Sequence, residues 1–180
     1  LDARDFGTLC HAALEAMALD VKLRDCTDEK VLREFLLAAL DRAARERMGD
    51  DLTLPLVIQL ESARQRLGRA AAVQARERAE GWTIELAEWK FELDLDGLAV
   101  RGKIDRVDRH ETSGAWRVLD YKTSDAFSPP HKTHVRPFRR GDELLPEWMR
   151  VVVNGREQMW ADLQLPLYVR ALTAELGAGE

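Results

Sequence analysis

The sequence has little cysteine, no long apolar run and no complete phosphate-binding glycine motif. Cys10 and Cys26 are the only cysteines in 180 residues, which argues against a disulfide framework or a zinc cluster and makes a reducing, cytoplasmic compartment the expected one. The longest apolar stretch, Phe35–Leu40, is far shorter than a membrane span, so we expect no membrane association. No GxxxxGK[ST] sequence is present, which argues against a P-loop nucleotide site.

The net charge of −5 at pH 7 argues against indiscriminate binding to nucleic acid. The segment from Arg101 to Arg140 differs from the rest, since it holds ten lysines and arginines against five aspartates and glutamates. A basic region inside an acidic chain suits a polyanionic substrate. A solvated surface of mixed charge would give the same count, so the charge alone leaves both interpretations open.

Helical spacing of the apolar residues dominates the first part of the chain, and strand-like alternation follows it. The spacing predicts helices over 6–20, 28–47 and 55–79, then a strand over 82–95 with a β-bulge where its phase shifts at 87–89. Asp96-Gly97 is a strong hairpin signal, so strands over 98–108 and 115–122 would complete an antiparallel meander. The length of 180 residues fits one domain, 1–180. Because the chain lacks an initiator methionine, we expect this domain to be excised from or part of a larger protein.

The remainder of the chain is less regular. Residues 124–156 hold four prolines and no sustained period, which predicts a long loop of the kind that often serves function. Helical spacing returns over 156–176, where Pro166 is expected to kink the helix.

The strongest chemical signal comes from Asp105, Asp120 and Lys122. Asp120 and Lys122 are two residues apart on a predicted strand, so both side chains point to one face, and Asp105 lies on the neighbouring strand. Two carboxylates can hold a divalent metal with open positions for water and a phosphodiester, and the backbone carbonyl of Tyr121 would add a third oxygen ligand. Lys122 would contact the attacking water or the scissile phosphate. The alternative is a surface ion pair between Asp120 and Lys122, which would contribute little.

Four segments together resemble the PD-(D/E)xK nuclease superfamily in its RecB-like branch, the branch of recombination helicase–nucleases and CRISPR adaptation nucleases. GKIDRVD at 102–108 and VLDYKT at 118–123 resemble its paired core motifs, GTLCHAALE at 7–15 its N-terminal helix motif, and QLPLY at 164–168 its C-terminal helix motif. The resemblance implies a restriction-endonuclease-like α/β fold. In that fold a mixed central sheet contains the meander, helices flank it, and a further short strand lies at 150–153.

The resemblance also implies roles for residues outside the hairpin. A lone histidine on an apolar helix is usually a packed residue, but His11 matches the metal-ligating histidine of the family's helix motif. Imidazole beside carboxylates would allow Mn²⁺ as well as Mg²⁺. Gln164 and Tyr168 lie one turn apart on the closing helix and are expected at the catalytic site. Glu88 stands where the family often has an acidic residue, which makes it a further candidate ligand.

The family resemblance leads to a functional hypothesis with defined rivals. Several members of the branch hold an iron–sulfur cluster through four cysteines, which this sequence does not supply, so no such cluster is expected. We expect a Mg²⁺- or Mn²⁺-dependent deoxyribonuclease, an exonuclease of DNA repair or recombination that acts on single- or double-stranded ends with a helicase domain or subunit. The alternatives are a catalytically silent nucleic-acid-binding or scaffolding module and a site-specific endonuclease, which would need base-reading elements.

Overall fold

The computed structural model describes residues 3–123 and 133–176, which form two compact units divided near residue 124. The first unit opens with helices whose ends follow local chemistry. The Asp28 carboxylate accepts hydrogen bonds from the Lys30 and Val31 N–H groups, and Gly49 ends the same helix with a φ of 77°, as a capping aspartate and a left-handed glycine should. The helices are α1 (Ala3–Leu19), α2 (Val21–Arg24), α3 (Glu29–Met48) and α4 (Leu54–Ala79).

The core of the first unit lies among α1, α3 and α4. Leu32, Leu36 and Leu40 recur at helical spacing along α3 and are fully buried. Leu9 and Met17 of α1 belong to the same cluster. The three predicted long helices are therefore confirmed, because a buried apolar stripe fixes each of them in place.

An antiparallel meander follows the helices. Its strands are β1 (Trp82–Leu95), β2 (Leu98–His110) and β3 (Trp116–Leu119), in the order β1-β2-β3. The Asp96-Gly97 turn joins the first two strands, with both residues at positive φ. The register shift lies between Ile84 and Leu86, earlier than the predicted bulge at 87–89. β3 is shorter than predicted, since it ends before Asp120.

The second unit has more regular structure than the sequence pattern indicated. It contains β4 (Val135–Pro137), 3₁₀ turns at Asp142–Leu144 and Glu147–Met149, β5 (Arg150–Val153), β6 (Arg156–Trp160) and α5 (Gln164–Leu176). The predicted strand at 150–153 is confirmed. The predicted helix over 156–160 is wrong, because Asn154-Gly155 forms a hairpin turn between β5 and β6. Pro166 lies in the first turn of α5, where its missing N–H removes no helical hydrogen bond, so no kink is required there.

The α/β class and the restriction-endonuclease-like architecture are confirmed, with helices accompanying antiparallel sheets. The described strands form two three-stranded antiparallel sheets, β1-β2-β3 and β4-β6-β5, so the mixed sheet that the resemblance implied is not present among them. Among the helices of the described ranges, none combines the length and apolar character that crossing a bilayer requires.

Candidate metal centre

Three side chains from three different elements of the first unit converge on one point. His11 of α1, Glu88 of β1 and Asp105 of β2 each offer a ligand atom, and these atoms all lie within 4.8 Å of one another. His11 Nδ1 is 3.6 Å from Asp105 Oδ1 and 4.0 Å from Glu88 Oε1. One imidazole nitrogen and two carboxylates are a donor set that fits Mg²⁺ or Mn²⁺.

The segment after β3 determines how the His11 ring is oriented. His11 Nε2 lies 3.1 Å from the Tyr121 carbonyl oxygen. In the neutral tautomer that donates Nε2–H to this oxygen, the Nδ1 lone pair faces the two carboxylates, which is the arrangement that a metal-binding histidine needs. The helix approaches closely here because Gly7 has no side chain. A Cβ at that position would lie 3.0 Å from Thr123 Oγ1.

Glu88 reaches the centre through an unusual backbone conformation. Its φ is 50°, in the left-handed region that non-glycine residues rarely adopt outside turns. Its neighbours Ala87 and Trp89 pair with Arg106 and Ile104, so Glu88 lies across from Asp105. A left-handed residue in a strand costs about 1–3 kcal/mol and tends to persist where function requires it.

The surroundings of Asp105 favour binding of a cation. Burial raises the pKa of Asp105 above its ordinary value, and the Asp120 and Glu88 charges act in the same direction. The Tyr121 N–H, which donates to Asp105 Oδ2 at 2.7 Å, and His11 oppose the rise. A divalent ion would remove the repulsion among these carboxylates, so the geometry and the electrostatics point to the same use.

Asp120 and Lys122 follow β3 directly. The Lys122 ammonium is 2.5 Å from Asp120 Oδ2, and the Lys122 side chain is half exposed while Asp120 is largely buried. Asp120 does not belong to the three-residue cluster described above, although its charge acts on Asp105. Its role as a ligand and the catalytic role of Lys122 stay predictions, as does ligation by the Tyr121 carbonyl.

A buried polar network anchors the Tyr121 side chain. Arg106 is almost fully buried and binds Asp108 through Nε and Nη2 at 2.5 and 2.8 Å. Arg106 Nη1 lies 3.4 Å from the Tyr121 hydroxyl and 2.6 Å from Gln74 Oε1 of α4. Burial raises the pKa of Tyr121, which therefore stays protonated. Asp108 is completely buried, so it supports the site from the interior.

Gln164 and Tyr168 belong to the second unit, which is described by itself. Gln164 Nε2 donates to the Tyr168 hydroxyl at 2.8 Å, and Tyr168 is buried. The expected one-turn contact is thus present, while their catalytic role stays a prediction. His134 is buried and contacts the Asp162 carboxylate at 3.0 Å. Residues 124–132, which include Asp125, His131 and Lys132, lie outside the described residues.

Lys103 is the charged residue that the sequence interpretation passed over. In the sequence, Lys103 was only one of the ten basic residues between Arg101 and Arg140. In the structure, its ammonium is ion-paired with Glu88 Oε2. Its position two residues before Asp105 on β2 was a usable signal, because residues at that spacing share a face.

Comparison with known proteins agrees with the geometry. A family model described as the PD-(D/E)XK nuclease superfamily matches residues 1–180. No curated protein matches the chain.

Proposed function

The chain belongs to the PD-(D/E)XK nuclease superfamily of metal-dependent nucleases, and from this premise we propose that it hydrolyses phosphodiester bonds in DNA with Mg²⁺ or Mn²⁺. The observation that carries the proposal is the convergence of His11, Glu88 and Asp105 within 4.8 Å. Asp120 would add a fourth side-chain ligand, because it immediately follows the strand beside Asp105. A divalent ion bound there would polarise the phosphate and lower the pKa of a bound water.

The protein's own residues would arrange the rest of the reaction. The Lys122 ammonium can exchange its contact with Asp120 for a contact with the scissile phosphate, since its side chain is half exposed. The charge that develops on the phosphate would then be stabilised by a preorganised cation. The Tyr121 N–H would hold Asp105 in position through its hydrogen bond to Oδ2. Gln164 would contact the DNA, and Tyr168 would pack or contact a phosphate, as the family resemblance implies.

We further propose an exonuclease of DNA repair or recombination in the cytoplasm, working with a helicase domain or subunit. The support for these finer statements is the resemblance of the four sequence motifs to the RecB-like branch. The basic balance of the segment from Arg101 to Arg140 is compatible with such a substrate.

The decisive assay compares wild type with Asp120→Asn and Lys122→Met on end-labelled linear DNA, single- and double-stranded, with Mg²⁺ or Mn²⁺. Loss of Lys122 should lower the cleavage rate about 10²–10³-fold, the usual effect of removing one charge-stabilising donor. Glu92→Gln is the matched control, because Glu92 lies on β1 in an exposed pair with Arg101. Unchanged cleavage by both site variants would refute the mechanism.

Circular DNA and RNA of the same sequence serve as further substrates and distinguish the classes of nuclease. An end-dependent enzyme should degrade linear DNA and leave a closed circle intact. Linearisation of the circle at one position would instead identify a site-specific endonuclease. Metal-dependent DNA binding without cleavage of any substrate would identify the silent binding module.

A further inference from the structure

Lys103 lies at the edge of the candidate metal centre and is open to solvent. Its side chain is 50% exposed, whereas that of its partner Glu88 is 11% exposed. The two Glu88 oxygens have different neighbours, since Oε1 faces His11 and Oε2 contacts Lys103. The Glu88 carboxylate therefore links the candidate metal centre to the Lys103 ammonium, which a substrate can reach.

The strand register places a second lysine beside Lys103. Lys90 of β1 is its direct cross-strand partner. Lys90 and Lys103 thus form a short row, two residues along their strands from Glu88 and Asp105.

Folding alone gives no reason for this row. Like charges directly opposite each other on antiparallel strands destabilise a sheet, and the Lys90–Lys103 pair is such a case. The ion pair with Glu88 offsets part of the repulsion for Lys103. A polyanion lying along the row would offset the rest, because each ammonium would face a phosphate.

We propose that Lys103, with Lys90 beside it, binds the substrate strand through a phosphate next to the scissile one. The inference rests on the proposed nuclease function and adds a binding position to it. Glu88 holds the Lys103 ammonium at the centre when no metal is bound. Once Glu88 shares its charge with an ion, Lys103 is attracted less strongly and turns to the phosphate.

The test measures binding of a fluorescent single-stranded oligonucleotide by anisotropy, in Lys122→Met protein with Mg²⁺, which keeps the proposed metal ligands and cleaves slowly. Lys103→Gln in this background should weaken binding and reduce the slope of log K against log salt by about 0.7, the value for one lost phosphate contact on a single strand. Lys103→Arg should keep the slope. Lys30→Gln, at the start of α3, is the control and should leave it unchanged.

A second readout separates substrate binding from a structural role. Mn²⁺ titration by calorimetry should show no loss of metal affinity in Lys103→Gln of the otherwise native protein, since the change removes a positive charge near the ion. Weakened Mn²⁺ binding with an unchanged salt slope would mean that Lys103 only orients Glu88, which overturns the proposal. Absence of any salt-dependent DNA binding by the Lys122→Met parent would instead refute the proposed function itself.

Discussion

Replacing Asp108 with Asn should destabilise the first unit strongly, although the change preserves the size of the side chain. Asp108 is completely buried and binds two arginines, Arg106 at 2.5 and 2.8 Å and Arg117 at 2.9 and 3.1 Å. The substitution removes the negative charge but leaves the Arg106 guanidinium, 5% exposed, in the interior. An uncompensated buried charge is the expected consequence.

The size of the loss follows from the burial of these partners. Breaking a buried ion pair by removing one partner costs about 3–5 kcal/mol. We expect the lower half of that range, because Arg117 keeps its contact with Glu77 at 2.5 Å and its position 4.0 Å from the centre of the Trp82 ring. For a chain of this size, the change corresponds to a fall in Tm of about 6–16 °C.

Urea unfolding followed by tryptophan fluorescence measures the effect, and Trp82 reports directly on the network. Glu92→Gln is the matched control, since it removes the carboxylate of another two-bond arginine pair, with Arg101, in the same sheet. That pair is 58% and 76% exposed, so its loss should cost less than about 1 kcal/mol. Equal free energies of unfolding for the two variants would refute the reasoning from burial.

Two further predictions concern β2. Gly102→Ala should lower the free energy of unfolding by about 1–3 kcal/mol through overpacking, because the new Cβ would overlap the cross-strand Phe91 ring. Chemical denaturation should show that the double variant Gly102→Ala/Phe91→Leu recovers part of this stability. Strictly additive effects of the two substitutions would contradict the contact. Asp105→Asn should stabilise the protein in EDTA at pH 7. The pKa of Asp105 is raised in the folded state. Its contribution to the free energy of unfolding is therefore fully present below the unfolded-state pKa of about 3.9, and it is lost as the pH rises through the folded-state pKa. Melting curves from pH 3 to 8 should show a higher Tm for Asp105→Asn than for wild type only at the higher pH. A lower Tm of the variant at pH 7 would contradict the prediction.

Local signals in the sequence were sufficient for most boundaries of the long helices and strands in the first unit. Asp28, Gly49 and the Asp96-Gly97 turn mark ends that depend on neighbouring residues alone, so they are readable from spacing and cap chemistry. The wrong prediction of a helix over 156–160 also came from a local signal. Apolar residues at helical spacing outweighed the Asn154-Gly155 turn signal, although cross-strand pairing of β6 with β4 and β5 determines that segment.

The centre itself was predictable only in part. Asp105, Asp120 and Lys122 share a hairpin, so strand geometry brings them near each other. The 3.6 Å approach of His11 to Asp105 depends on helix packing at Gly7, and local spacing does not encode it. The left-handed backbone of Glu88 likewise arises from tertiary structure.

The most direct test of the central claim is a crystal structure of the protein soaked with Mn²⁺, with the ion located by its anomalous scattering. We expect an ion bound by His11 Nδ1 and the carboxylates of Glu88, Asp105 and Asp120. Asp105→Asn crystals soaked in the same way should lack it. An ion located away from His11 and Asp105, or equal occupancy in the Asn variant, would show that these residues are not the metal ligands.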